Sequence, residues 1–366
     1  MCPDFYWEVH CILGLTFDAV DIDTAVEHIR TSTVQRSPCF VSTPNLNFLI
    51  ASQSDIEFRN SVLNSDLSVA DGMPIVWIAR LLGIPILERV AGSGLFEKLR
   101  EESSTKLKIY FFGGVDGVAE IACKNLNMEN SGLTCVGFES PGFASVEKMS
   151  SEESINKINS SNADFLVVSL GAKKGQAWIE HNREKISVPV LSHLGAVVNF
   201  VAGKLNRAPV WVQNSGLEWL WRIKEEPALW RRYASDGVIL IRLIITRIIP
   251  YLWVIYLHKP SNIDAESPDF DFMDDGDEIV IRLRGAWLMS NMEKLRDYLS
   301  ISMLVGKNIR LDFQHVTYVD SAFIGLLLLI YGDRKRQGRE LIIEKMQNNI
   351  RQIFKFSGVE YLLNTL

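Results

Sequence analysis

Asp71 stands at a place where a carboxylate could act on a ligand. In Leu67-Ser68-Val69-Ala70-Asp71-Gly72-Met73-Pro74 a short apolar run ends on it, glycine frees the turn and proline starts a helix. Asp71 is therefore a candidate general base, with a helix N-cap as the plainer reading. Thr43 and Asn45, in Thr43-Pro44-Asn45-Leu46-Asn47, follow another strand-like run, where short polar side chains either orient a sugar or cap the next helix. Arg89-Val90-Ala91-Gly92-Ser93-Gly94 sets a cation before a small-residue turn that opens a helix, which suits a diphosphate leaving group. Gly113-Gly114-Val115-Asp116-Gly117 is a glycine-rich turn without the full dinucleotide fingerprint, explained equally by nucleotide binding and by structural glycines.

Other polar residues point away from chemistry. Asp21-Ile22-Asp23 has metal-binding spacing but precedes a helical segment and has no histidine cluster near it, so capping is expected, with no metal and no cofactor. Of the six histidines only His193, after Val188-Pro189-Val190-Leu191, lies at a strand end. The five cysteines are scattered and form no Cys-x-x-Cys pair, which argues against a disulfide framework and for a reducing compartment. A formal net charge of −6 argues against nucleic acid as a partner. The N-terminus shows no basic run followed by an apolar stretch, so a cytoplasmic location is expected.

A chain of 366 residues exceeds one ordinary core, so two domains are expected. Up to about residue 200, strand-like runs (CFVSTPN, LSVADG, LKIYFFGG, GLTCVGF, ADFLVVSLG, VPVLSHLG) alternate with helical patterns (MPIVWIARLLG, VAEIACKNLNM, GQAWIEHNREK). The alternation predicts a parallel, Rossmann-like α/β sheet over residues 1–208, with ligands at the carboxyl ends of its strands. Residues 209–257 change character. Trp211, Trp219, Trp221 and Trp230 beside Arg222, Arg231 and Arg232 are the mixture found at membrane interfaces. Within Gly237–Leu257, Arg242 and Arg247 are costly inside a bilayer and Pro250 is expected to break the helix, so an interfacial helix is favoured over a span or a core helix. A polar linker is expected at 258–268 and a small α/β domain at 269–366.

Taken in order, TPNLNFL, ADGMPIVWIARLLG, ERVAGSGLFEKL, the FFGG turn, LGAKKGQAWIEHN and VAGKLNRAPVWVQNSGLEWLWRIKEEPALWRRY resemble blocks of the WecG/TagA/CpsF glycosyltransferases (family 26) across residues 10–257. The resemblance implies an inverting, metal-independent transfer of a hexose or N-acetylhexosamine from a UDP-sugar donor. Its acceptor would be a polyprenyl-diphosphate-linked sugar, and its product an exopolysaccharide or other surface glycan. The enzyme would lie peripherally on the cytoplasmic face of the inner membrane and could form a homo-oligomer. Asp71 matches the proposed base, and Thr43, Asn45 and Arg89 match polar active-site positions. Gly113, Gly114, Gly137, Phe138, Gln176 and Asn199 fall on the donor side, while Arg207, Arg222, Arg231 and Arg232 are candidate diphosphate and headgroup contacts. Lys173-Lys174-Gly175-Gln176 shifts the glutamine by one position, Asn199 stands where aspartate is common, and Glu139 replaces a common aromatic.

The last hundred residues resemble a STAS domain. Val319-Asp320-Ser321-Ala322-Phe323-Ile324-Gly325 matches its signature loop, and Ser321 is the candidate phosphorylation site because Ala322 removes the other hydroxyl. A regulatory or docking role with an unidentified protein partner follows from that resemblance. Two other classes compete with the enzyme: an inactive nucleotide-sugar-binding regulator signalling through the STAS domain, and an oxidoreductase, which the missing Gly-x-Gly-x-x-Gly turn disfavours.

Overall fold

The computed structural model describes residues 8–101, 106–258, 268–301 and 306–363. The chain opens with an antiparallel hairpin, β1 (Val9–Ile12) and β2 (Leu15–Asp18), which stands apart from the main sheet. That sheet has six strands: β3 (Cys39–Ser42), β4 (Leu67–Ser68), β5 (Leu107–Gly113), β6 (Leu133–Glu139), β7 (Phe165–Ser169) and β8 (Val190–His193). Their order is β4-β3-β8-β7-β5-β6 and every pairing is parallel. The sheet is the Rossmann-like one expected. Helices α1 (Ile22–Gln35), α2 (Leu46–Ser52), α3 (Ile56–Leu63), α4 (Met73–Leu81) and α5 (Gly92–Glu101) precede β5. After it come α6 (Val118–Met128), α7 (Glu152–Ser160), α8 (Ala172–Asn182) and α9 (Val197–Val201).

Burial on both faces explains why these strands read as unbroken apolar runs. Phe111 points into one helical layer with Phe96 and Ala119, while Tyr110 and Phe112 point into the other, where Phe112 stacks on Trp178 at 4.2 Å. Cys123 of α6 and Cys135 of β6 form a disulfide, which runs against the expectation drawn from the scattered cysteines. They stand 12 positions apart in sequence, but the helix lies beside the strand and their Cα atoms come to 5.2 Å.

The appendage comprises α10 (Val210–Asn214), α11 (Glu218–Glu225), α12 (Trp230–Leu243) and α13 (Ile249–Leu257). Pro250 does not break the helix, contrary to expectation. A π-helical turn at Ile244–Ile248 precedes it, with the Ile249 amide donating five residues back to the Ile244 carbonyl, and this wider turn accommodates the ring. The continuous helix, Pro227–Leu257, is long and apolar enough by length and composition to cross a membrane. It is two-faced. Leu243, Ile248, Tyr251 and Val254 are buried, whereas Val238, Ile241, Ile245, Ile249, Trp253 and Tyr256 form an exposed stripe at helical spacing.

Of the expected linker, 258–268, all but the two end residues lies outside the described residues. The C-terminal sheet is ordered β12-β11-β10-β9, from β9 (Asp269–Asp275), β10 (Glu278–Trp287), β11 (Asn308–Val319) and β12 (Leu341–Glu344). Its helices are α14 (Glu293–Ile301), α15 (Ser321–Arg336) and α16 (Asn348–Ser357). β9 was not anticipated from sequence. Its aspartates resemble linker, but Arg282 and Arg284 of β10 lie across from them, and Arg282 bonds Asp271 at 3.2 Å.

The two domains share one hydrophobic core, in which Leu15, Phe17 and Val62 join Phe323, Leu327 and Ile353. The hairpin contributes Cys11, Ile12, Leu13, Leu15 and Phe17 to it. Gly325 of α15 meets β1 so closely that a Cβ there would fall 2.4 Å from the Val9 carbonyl oxygen. At the hairpin turn, Gly14 (φ +88°) abuts Gly358, and Tyr361 donates its hydroxyl to the Gly14 carbonyl at 2.9 Å.

Candidate active site

The loops leaving β3 and β4 and the segment before α5 are joined by main-chain hydrogen bonds. The Asp71 amide donates to the Pro44 carbonyl at 3.1 Å, and the Val90 amide to the Ala70 carbonyl at 2.9 Å. These bonds bring Thr43, Asn45, Asp71 and Arg89 to one end of the sheet, at the carboxyl ends of its strands. Gly92 allows the closest approach. A Cβ on it would lie 2.6 Å from Leu194 and 3.4 Å from the Thr43 hydroxyl.

Asp71 is not a helix cap. Gly72, at φ +131°, takes the N-cap position of α4 and no side chain caps that helix, so the half-buried carboxylate faces the Gly92 amide instead. Burial raises its pKa to about 6; Arg89, the Gly92 amide and Arg222 work against that rise, and Glu218 adds to it. A carboxylate so placed can accept a proton near neutral pH. Beside it, the N-terminus of α5 presents main-chain N–H groups and the positive end of a helix dipole.

The appendage closes over this cluster. Gly216 (φ +75°) packs on Met73, and α11 then places Glu218 in an ion pair with Arg89. Arg222 of the same helix lies over the Phe200 ring at 5.5 Å and pairs with Glu226 at 3.8 Å. Farther along, the buried Asp236 of α12 is hydrogen-bonded to Asn47 of α2.

The remaining expected residues separate into distinct settings. Asn45 caps α2, its Oδ1 accepting from the Asn47 and Phe48 amides at 3.0 and 3.2 Å. Asp21 caps α1 through the Thr24 amide. Gly113 (φ +99°) abuts the Ser169 carbonyl, so a side chain is excluded there on structural grounds, while Gly114 (φ +86°) faces open space apart from Val198. Gly137 lies under the Tyr110 ring, and Phe138 beside it is exposed. Asn199 is half-buried on α9, its carbonyl accepting from Lys204.

Gln176, expected on the donor side, is fully buried, its amide donating to the Ser42 hydroxyl of β3 at 2.8 Å. His193 is likewise interior, bonded to the Leu170 carbonyl and hemmed in by Gly175 and Gly195. Arg207 contacts Gln213 at 3.3 Å, and Arg231 and Arg232 are exposed on α12, over Trp230 and Tyr233. Ser321 is the first residue of α15, capped by Asp320, and its hydroxyl lies 3.0 Å from Nδ1 of His10.

Sequence reasoning missed Glu218, Asp18 and His10. Glu218 carried a signal, being an acid among cations in a segment read for its basic residues.

The sequence profile of the glycosyl transferase WecG/TagA/CpsF family matches residues 10–251, and that of the Mlab, STAS domain matches 270–364. Similar proteins include three named N-acetylglucosaminyldiphosphoundecaprenol N-acetyl-beta-D-mannosaminyltransferase. That of Bacillus spizizenii is 26% identical over 223 residues, covering 60% of this chain and 85% of the relative. The Bacillus subtilis protein is 25% identical over 202 residues (55% and 77%), and that of Staphylococcus aureus 25% over 217 residues (58% and 82%). Among solved structures, the unphosphorylated anti-sigma factor antagonist SpoIIAA aligns at 23% identity over 26% of this chain and 85% of its own, with a TM-score of 0.22 that supports no comparison of architecture. With the first profile matched over most of its length, the chain belongs to the WecG/TagA/CpsF family of glycosyltransferases and carries a STAS domain behind the transferase domain.

Proposed function

We propose that this glycosyltransferase moves a hexose or N-acetylhexosamine, N-acetylmannosamine first among them, from a UDP-sugar onto a polyprenyl-diphosphate-linked sugar, with inversion. The observation that carries this reading is the grouping of Asp71 with Arg89, Arg222 and the amide end of α5. A sugar hydroxyl is a poor nucleophile at neutral pH, so Asp71 takes its proton as the oxygen attacks the anomeric carbon. The bond to the donor diphosphate breaks on the opposite face, and the departing charge falls on Arg89 and the α5 amides. The names of the relatives supply the acceptor class, N-acetylglucosamine on diphosphoundecaprenol.

Work on such an acceptor would put the enzyme at the cytoplasmic membrane face, in exopolysaccharide or related surface-glycan synthesis. The exposed stripe of α12 and α13, flanked by Arg231, Arg232 and Trp230, supports a peripheral mode, the stripe dipping into the interface while the opposite face stays on the protein. Arg247 belongs to the protein side, since it bonds Glu360 at 2.9 Å. The STAS domain is a regulatory or docking module in this reading. A phosphate on Ser321 would have to displace the His10 contact, so modification would open the seam between the domains.

The test is nucleotide release from a panel of UDP-sugars with a short-chain polyprenyl-diphosphate N-acetylglucosamine acceptor. One donor should turn over only when acceptor is present. Release from none of them would overturn the assignment.

A further inference from the structure

We propose that the STAS domain acts in cis as a positioning element for the transfer reaction, gripping the β1–β2 hairpin so that the hairpin holds the strand leading to Asp71. This rests on the reading of Asp71 as the base.

The grip follows from burial. All eight strand residues of the hairpin are buried, although successive side chains of a strand point to opposite faces. A two-stranded hairpin is marginal alone and can be buried throughout only if both faces are covered. The cover comes from both domains: α3 and β4 of the transferase domain lie against β2, and α15 of the STAS domain lies against both strands, chiefly β1. The contact is set by shape and polarity: Gly325 against the Val9 carbonyl, Ser321 with His10 and Cys11 with the Ser357 carbonyl, while beside the hairpin Arg59 of α3 lies over the Tyr361 ring at 3.6 Å.

Transmission runs through β2. His10 pairs across the hairpin with Phe17, which lies between Thr16 and Asp18. Both of those residues hold Ser68: the Thr16 carbonyl accepts from its hydroxyl at 2.8 Å and the Asp18 carboxyl from its amide at 2.5 Å. Ser68 ends β4, and Asp71 follows three residues on. A second route reaches the same end of the sheet, because α16 packs on α13 while α12 packs on α2, the helix capped by Asn45. The signature face of the STAS domain is thus occupied by its own chain, and Asp18 is a positioning residue.

The experiment uses the full chain. Gly325→Leu drives a side chain into the Val9 main chain, which has no rotamer by which to yield. Two readouts are taken: hydrogen exchange of the 67–72 segment, and kcat and KM with the donor that the panel identifies. The expected result is faster exchange in 67–72 and a kcat lower by about a hundredfold, the scale of a small misplacement of a reacting group, with donor KM within about twofold. Faster exchange in 9–18 with no change in 67–72 or in kcat would overturn the proposal. Should that variant fail to fold, Asp18→Leu and Asp18→Asn decide it. Leu removes the acceptor for Ser68 and should show the same loss, and Asn, which keeps an oxygen there, should restore it; equal kcat and exchange for Leu and wild type would refute it. The exchange arm needs no turnover, so an inactive wild type would sink the transferase reading and leave the coupling still decided by exchange.

Discussion

Glu218 of the appendage pairs with Arg89, 129 residues earlier in the chain, at the strand-end cluster. The carboxylate occupies the guanidinium that the proposed mechanism assigns to the donor diphosphate, so on that mechanism donor binding and the seating of α11 would compete for one cation. Glu218→Gln removes that competition and also one cause of the raised Asp71 pKa. Donor binding should tighten by about tenfold, the scale of one charge-assisted hydrogen bond, and the acid limb of the pH–rate profile should move to lower pH. Titration calorimetry and a pH series check both; unchanged affinity with an unmoved limb would mean that the pair is structural only.

The outward stripe of α12 and α13 should carry membrane association. Burying one large apolar side chain contributes about 1.5–3 kcal/mol, so replacing Ile245 and Trp253 by serine should weaken binding to anionic liposomes by at least about a hundredfold. Both residues are more than half exposed, so folding should be little affected. Equal sedimentation of wild type and double variant with vesicles would remove the interfacial role.

Asp18 gives a stability signature. Burial raises its carboxyl from 3.8 to about 8, with the Ser68 amide opposing and Asp66 reinforcing the rise. Between about pH 4 and 8 the unfolded chain carries this charge and the folded chain does not, so folding takes up a proton and stability falls as pH rises across that window. Asp18→Asn should flatten this part of the curve, as followed by urea unfolding at several pH values. An identical slope in the variant would place the proton elsewhere.

Much of the sheet was legible because strands buried on both faces, such as Phe165–Ser169, are apolar at nearly every position. The places of Thr43, Asn45 and Asp71 were readable from the strand-like runs before them, and that of Arg89 from the small-residue turn after it, which opens a helix. What escaped depended on partners distant in sequence. β9 looks like linker until the arginines of β10 are set beside it, and nothing local to Gln176 announces its bond to Ser42. Pro250 signalled a helix end because nothing local announces a π turn. His10 and Ser321, 311 positions apart, carry no joint sequence signal. Nor did the cysteine spacing reveal that Cys123 and Cys135 meet.

The central claim is that Asp71 takes the proton of the acceptor hydroxyl, and the most direct measurement is the pH dependence of turnover in wild type and Asp71→Asn. In wild type the rate should rise with pH through about 6, where the carboxyl ionises. Asp71→Asn should lower kcat by roughly 10²–10⁴-fold and abolish that limb while the protein stays folded. Undiminished turnover in the variant, or a limb that survives the substitution, would contradict the account.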